Sequence, residues 1–422
     1  MSAEQASVRG HADFNRLWTG RAISQFGSDI GAVAIPLVAV TVLDASTLEL
    51  SILAAVSAIA VAAFAFPLGT YVEFRAKRPM MIATDVIRFA TVITIPAAAL
   101  FDLLTFAQLC AVAVLNAVCQ IAFASASQAH LRALVGTDQL VDAIGRLEST
   151  TWASLTVGRS LGGVIIAAVT ATGALVFNAC SFLLSAFAIS RIRTPEPAPP
   201  QRRPKEPKLR QVLGGLDFVR HDRPLRRILL NWIVFAGASG MAFPISTAFY
   251  LRDLGFSAWE YGLLMGVPSI GGFIGARLVR RAVGRFGPIR TLWITGVLRG
   301  PWYFLIAASM PGTLGLVLCG LAFGAMLFFT SIANSAMTSY RQLRTPESLQ
   351  ARVATLWSFA TTVSQPVFML IGGVVATWTG NRAALVIAAA VMTLAVLLLP
   401  RTSDLHGSVN DREDCGREHR MK

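Results

Sequence analysis

The stretch "TVGRSLGGV" (156–164) sets Arg159 among small and apolar residues, between "LESTTWASL" and "IIAAVTATGALVF". In lipid such a charge costs about 3 kcal/mol on insertion scales, so it needs a wet cavity or a partner. Two acids are candidates. Glu148 stands eleven residues earlier. On a regular helix that returns to within about 20° of the same direction, about 16 Å away along the axis. This is too far for a direct salt bridge, but the two could line one cavity wall with Thr151, Trp152 and Leu155 between them. Asp29 ends a stripe of residues four apart, Arg21, Gln25 and Asp29, flanked by Ser24 and Ser28, near the middle of its own apolar run. A buried acid is the simplest proton carrier, because loss of water favours its protonated form and a nearby arginine favours the charged one. Asp29, Glu148 and Arg159 are therefore the proton-coupling candidates. Alternatives stay open for two of them: Arg159 on a cavity wall or in a structural pair with a carboxylate of another helix, and Asp29 as coupling group, as structural partner or as a partly exposed acid.

The elements that must hold these groups are membrane spans. The 422 residues are 54% hydrophobic and only 14% charged, with a mean hydropathy of +0.59; soluble domains carry about a quarter charged residues. A spanning helix needs about 20 apolar residues. Windows of that kind predict an all-α integral membrane protein with twelve transmembrane helices, at roughly 16–43, 49–72, 79–100, 104–131, 140–168, 172–191, 227–251, 258–282, 289–309, 313–340, 350–377 and 381–400. The proline- and charge-rich stretch 192–226 reads as a central loop between two six-helix bundles, 16–191 and 227–400, with an amphipathic surface helix over about Lys208–Arg220. Residues 1–15 read as a cytosolic N-terminus without a signal peptide, and 401–422 as a disordered cytosolic tail.

Charge fixes the expected orientation. With both termini cytosolic, only Arg252 and Arg382 of the 37 lysines and arginines fall outside, and Arg88, Arg159 and Arg299 fall in or near spans. That asymmetry is the positive-inside pattern. The net charge of +14 then reflects topology and attraction to anionic lipid, not nucleic-acid binding. The five cysteines (Cys110, Cys119, Cys180, Cys319, Cys415) form no CxxC pair, and the five histidines (His11, His130, His221, His406, His419) show no metal spacing. No cofactor and no metal is expected. Without a GxxxxGK[ST] motif, transport must draw on an ion gradient, and isolated acids with arginines favour protons over sodium. An integral-membrane enzyme would need clustered acids or a deep histidine, and neither is present.

Other polar residues form candidate cavity stripes: Gln25 on the first span, Asn116 and Gln120 on the fourth, Trp152 on the fifth, and Asn231 with Phe235 on the seventh. Trp302 and Tyr303 follow on the ninth, Asn334 on the tenth, and Trp357, Thr361 and Gln365 on the eleventh. Each is equally a helix-packing residue; together they describe an amphipathic cavity with aromatic walls, suited to a bulky, partly apolar molecule. Asp85 and Arg88 open the third span and read, with the loop before it, either as a charge cluster holding the inward side closed or as headgroup anchors; Arg299 is their counterpart in the ninth.

The halves echo each other. "GTYVEFRAKRPM" precedes "MIATDVIRFA", and "GARLVRRAVGRFGPIR" precedes "GVLRGPWYF", as parallel repeats do in carriers that rock around a central site. Here the chain resembles the major facilitator superfamily, whose signature loop is matched by Gly69, Glu73 in place of aspartate, Arg75, Lys77 and Arg78, with Phe74 replacing an arginine. Nearly the whole chain is similar to the drug-resistance and secretion branch that includes macrolide exporters and the enterobactin exporter. "RLWTGRAISQFGSDIGAVAIPLVAVTVL", "ASQAHLRALVGTDQLVDAIGRLES" and "GGLDFVRHDRPLR" carry that likeness, in order. The fifth span keeps the spacing of the family's antiporter motif: Gly145, Ser154, Gly158, Arg159 where the motif has proline, then Gly162 and Gly163. The resemblance implies a monomeric bacterial plasma-membrane exporter of an amphipathic drug or secondary metabolite, exchanging it for protons among membrane lipids. The alternatives it leaves are a proton-coupled uptake symporter and a lipid or siderophore transporter of the same fold.

Overall fold

The computed structural model describes residues 12–135, 139–196 and 208–400. His11, His406, His419, Cys415, the tail and residues 197–207 of the central loop lie outside them. Among the described residues there is no strand. The helices are α1 (Ala12–Thr41), α2 (Thr47–Glu73), α3 (Lys77–Leu100), α4 (Phe106–Val135), α5 (Leu140–Val169) and α6 (Ala171–Ser190). After the loop helix Lys208–His221 come α7 (Arg223–Asp253), α8 (Ala258–Phe286), α9 (Pro288–Arg299 and Trp302–Ala307), α10 (Thr313–Arg344), α11 (Glu347–Thr379) and α12 (Asn381–Leu398). Eleven of these are long and apolar enough to cross a bilayer. The exception is α9, broken at Gly300–Pro301 because proline supplies no N–H for the helical ladder.

Local chemistry sets the ends. Ser46 and Glu49 form a capping box at the start of α2, and Ser257 and Glu260 another at α8. Asp222 caps α7 by accepting from the Leu225 N–H at 3.0 Å. The turn into α12 requires φ +83° at Gly380, a conformation open to glycine at little cost.

The two halves use one packing scheme. α1 lies on α5 and α6, α2 on α4, and α3 on α4 and α6. Six helices on, α7 lies on α11 and α12, α8 on α10, and α9 on α10 and α12. The halves meet along two seams, α5 with α8 and α2 with α11. Side chains such as Leu184, Phe187, Leu321 and Trp378 stay exposed on the outer surface; water would penalise such a face, and lipid solvates it.

The seams close one end. At the end where α1 finishes (the far end), a methyl on Gly163 would lie 2.6 Å from the Ala258 carbonyl oxygen and 2.8 Å from Gly262 Cα. On the other seam a methyl on Gly373 would lie 2.7 Å from Ser51 Cβ. Polar bridges cross above: Arg252 to Asp44 at 2.7 Å and to the Ala45 carbonyl at 2.8 Å, Thr47 to Asn381 at 2.7 Å, and Asn381 to Asp253 at 2.8 Å. At the near end, where α1 begins, Gly145 and Gly284 face open space and Val141 is 79% exposed.

The amphipathic helix is not a free membrane-surface element. Gly215 lets it lie against the backbone of α11, where an added methyl would meet the Arg352 carbonyl at 2.6 Å. Val219 is buried there with Val353 and Trp357, and Asp222 holds Arg344 at 2.7 Å.

Candidate functional site

Asp29 and Arg159 meet. The Arg159 Nε lies 3.3 Å from Asp29 Oδ1. Ser154 Oγ donates to Asp29 Oδ2 at 2.7 Å, and Gln25 Nε2 donates to the same oxygen at 3.1 Å. Asp29 is 4% exposed, whereas the Arg159 side chain keeps 29% exposure, so the pair joins a buried acid to a cation within reach of water. Glycine makes the approach possible: a methyl on Gly158 would sit 3.1 Å from Asp29 Cβ, and one on Gly162 3.1 Å from Ile30 Cα. The helix also opens into a π-turn over Ser154–Gly158, a feature common at functional sites. Despite that turn, Glu148 and Arg159 both lie toward the Arg21–Gln25–Asp29 stripe of α1, against Arg21 and Asp29 respectively. Glu148 is exposed on the near-end turns, where it interacts electrostatically with Arg21, and Trp152 is 38% exposed.

The small residues of α5 divide their work. Gly158 and Gly162 admit α1, Gly163 admits α8, and Ser154 reaches Asp29, while Gly145 packs against nothing within 4 Å. Thr156 adds a side-chain bond across the seam to Ser269 at 2.7 Å.

The expected charge cluster at the loop splits in two. Lys77 and Arg78 bind the Glu196 carboxylate through their backbone N–H groups, Lys77 Nζ caps the Val72 and Glu73 carbonyls, each at 2.9 Å, and Arg78 donates to the Ser190 carbonyl. Arg75 lies over the Tyr71 ring, 5.1 Å from its centroid, and Gly69 has no neighbour within 4 Å. These contacts stay within the first half and the start of the central loop that follows it. Glu196 was missed by sequence reasoning, for it lies in the proline-rich loop and shows no periodic signal. Asp85 and Arg88 belong elsewhere: at 0% and 3% exposure they are neither headgroup anchors nor part of the loop. Arg88 donates from Nε to Asn116 at 2.7 Å and from Nη2 to Ser28 at 2.8 Å, and stacks on Phe182 with 3.9 Å to the ring centroid.

Arg299 occupies the matching place in the second half. It is 3% exposed, donates to Asn231 Oδ1 at 2.7 Å, and lies 3.7 Å from the Phe235 ring centroid. Asn231 in turn donates to the Ala395 carbonyl at 2.6 Å, at the end of α12. Among the described residues Arg299 forms no ion pair. Asn231 and Phe235, expected on a cavity wall, are thus committed to holding this cation. Replacing Asn231 with leucine removes the acceptor, and a hydrogen bond to a charged group is worth about 1.5–3 kcal/mol. The thermal midpoint of the purified protein should fall, and the double variant Asn231→Leu/Arg299→Met should recover part of the loss.

A cavity of about 240 Å³ lies between α1, α2, α4 and α7, lined by Pro36, Ser57, Asn116, Gln120, Phe243 and Thr247 among others. Of the expected cavity set, Asn116 and Gln120 face it, and Gln25 binds Asp29 instead. Trp302 stacks on Phe329 beside an apolar groove of about 780 Å³ between α8, α9 and α10, and Tyr303 is buried. Trp357 is buried beneath the loop helix with Arg341 over its ring, Thr361 accepts from Trp232 at 3.1 Å, and Gln365 packs its backbone on Gly240. Asn334 is exposed on α10. Of the second half's expected cavity aromatics, Phe235, Tyr303 and Trp357 therefore build packing and Trp302 lines the groove between α8, α9 and α10; none of these lines the cavity between α1, α2, α4 and α7.

A repeated six-helix scheme, two seams between the halves and a charged pair between α1 and α5 make up the architecture. The family model for the Major Facilitator Superfamily matches residues 17–343. The chain belongs to the major facilitator superfamily. Over 395 residues it is 26% identical to the multidrug efflux pump Tap of Mycolicibacterium fortuitum, covering 90% of this chain and 93% of that protein. The superfamily fold recurs in solved structures of low identity. A mutant of the nucleoside transporter NupG matches with a TM-score of 0.74 at 12% identity, covering 91% of this chain and 98% of that one. A bacterial homologue of the iron transporter ferroportin, in its inward-facing state, matches with a TM-score of 0.73 at 14% identity, covering 92% and 97%. As a superfamily member the chain is a multi-pass membrane transporter, with no requirement for reaction chemistry at the Asp29–Arg159 pair.

Proposed function

We propose that the chain exports an amphipathic small molecule, of drug or secondary-metabolite type, across the bacterial plasma membrane in exchange for protons. The observation that carries this reading is the Asp29–Arg159 contact, placed where α1 touches the same α5 that seals the far end against α8. The likeness to a multidrug efflux pump supports cargo of this class, as does the mixed lining of the central cavity. The basic residues of the sequence fall mostly in the segments expected on the near side, which supports a cytosolic near end by the positive-inside rule.

In this cycle cargo enters from the cytosol while Asp29 is ionised and holds Arg159. Reorientation opens the far end, cargo leaves, and a proton adds to Asp29. The neutral carboxyl no longer attracts the guanidinium, and the carrier returns to release the proton inside. The test uses inside-out vesicles with ethidium, an apolar cation bearing amino groups, and an imposed pH gradient, acid inside. Ethidium should accumulate in the vesicles and collapse part of the gradient. Accumulation only with the gradient reversed would show an uptake symporter and overturn the reading, as would transport indifferent to the gradient.

A further inference from the structure

Asp85 is buried at 0% exposure, and neither of its carboxyl oxygens has a hydrogen-bond partner. Ser185 on α6 faces it without reaching hydrogen-bond geometry. Arg88, one turn along α3, stands with Nη1 3.8 Å from Asp85 Oδ1. Charge-assisted hydrogen bonds close at about 2.7–2.9 Å, so this gap is open. An ionised carboxylate without hydrogen bonds is costly to bury, and such a group takes up a proton instead. The charged and titratable groups that face it are Arg88 on its own helix and Cys119 on α4; α6 contributes the uncharged Ser185.

Arg88 has turned the other way. Its Nε is held by Asn116 and its Nη2 by Ser28, the neighbour of Asp29. Asn116 is also a wall residue of the central cavity. One guanidinium therefore stands between a cavity-facing amide and a buried acid, and of these two it hydrogen-bonds the amide.

We propose that Asp85 is a second proton-carrying group of the transporter, controlled from the cavity through Asn116 and Arg88. The inference rests on the export reading for the identity of the cavity's occupant. Cargo that donates an N–H or O–H to Asn116 Oδ1 displaces the Arg88 Nε. The freed guanidinium closes the gap to Asp85; the carboxyl O–H bond breaks, its electron pair stays on oxygen, and the proton passes to water. Departure of the cargo at the far side returns Arg88 to Asn116, and Asp85 takes a new proton from water there. The cargo class narrows accordingly to amphipathic molecules with a hydrogen-bond donor.

Infrared spectroscopy of the full-length purified protein tests this without any cargo. At neutral pH the wild type should show the carbonyl band of a protonated, weakly hydrogen-bonded carboxyl, and Asp85→Asn should lose it. Asn116→Leu leaves Asp85 in place but frees Arg88, so the band should vanish at neutral pH and return on acidification. If Asp85→Asn does not fold, Asp85→Glu in protein labelled with ¹³C-aspartate assigns the band, which then loses its isotope shift. A wild type without such a band, or a band unchanged by Asn116→Leu, overturns the proposal. Failure of ethidium transport alone would instead strike the export reading and leave the infrared result standing.

Discussion

Replacing Asp29 with asparagine should leave a folded carrier that still exchanges cargo but no longer concentrates it. Asparagine keeps the shape of the side chain and an oxygen to accept from Ser154. What disappears is the ionisable group and its attraction for Arg159. The Arg159 side chain is 29% exposed, so once its partner is neutral it can turn toward water rather than remain a buried unpaired charge. The energetic effect falls on coupling. One pH unit of gradient is worth about 1.4 kcal/mol per proton, or about tenfold in the accumulation of a neutral cargo per proton exchanged. Vesicles containing Asp29→Asn should lose that factor while retaining exchange of ethidium at equal concentration on both sides. Wild-type accumulation with wild-type pH dependence in this variant would remove Asp29 from the coupling mechanism.

Valine at Gly163 should hold the far end open. The site is already at backbone contact, with the Ala258 carbonyl oxygen 2.6 Å from where even a methyl would stand. A helix backbone cannot give way there as a flexible side chain can, and overpacking costs about 1–3 kcal/mol. In a carrier poised between two states that penalty falls on the sealed form alone, so populations shift by about tenfold to a hundredfold. Spin labels on the exposed far-end residues Val169 and Trp259 should report longer separations in the variant, and gradient-driven accumulation should be lost. The same valine at Gly145, where nothing lies within 4 Å, should leave both unchanged. Identical distance distributions for Gly163→Val and the wild type would show that this seam does not control opening.

Much of the architecture was legible because a bilayer imposes local rules. Every backbone group in lipid must be bonded within its own helix. Length and apolarity therefore mark the segments one at a time, and the observed helices match the expected windows closely, α5 at Leu140–Val169 and α8 at Ala258–Phe286 among them. The unusual residue types were legible for the same reason. Asp29, Arg88, Arg159 and Arg299 stand out because charge in an apolar run is expensive, and the spacing of small residues in α5 could be read directly.

Partnership was legible only in part: Asp29 stood among the candidate acids for Arg159, but which group pairs with which depends on helix rotation and packing that spacing alone does not encode. Arg159 reaches Asp29, a residue 130 positions distant on α1, while Glu148 interacts with Arg21 at the other end of the same stripe. Arg88, close in sequence to the basic loop, is drawn into the core by Asn116, Ser28 and Phe182, while the loop itself is held by Glu196. Trp357 looks like a cavity aromatic until the loop helix is seen to cover it. Sequence alone determined where the chain crosses the membrane and which groups are out of place there, since those are costs each segment meets in isolation. Only the tertiary structure decided which group satisfies which, since a buried charge takes whatever partner packing brings within about 3 Å.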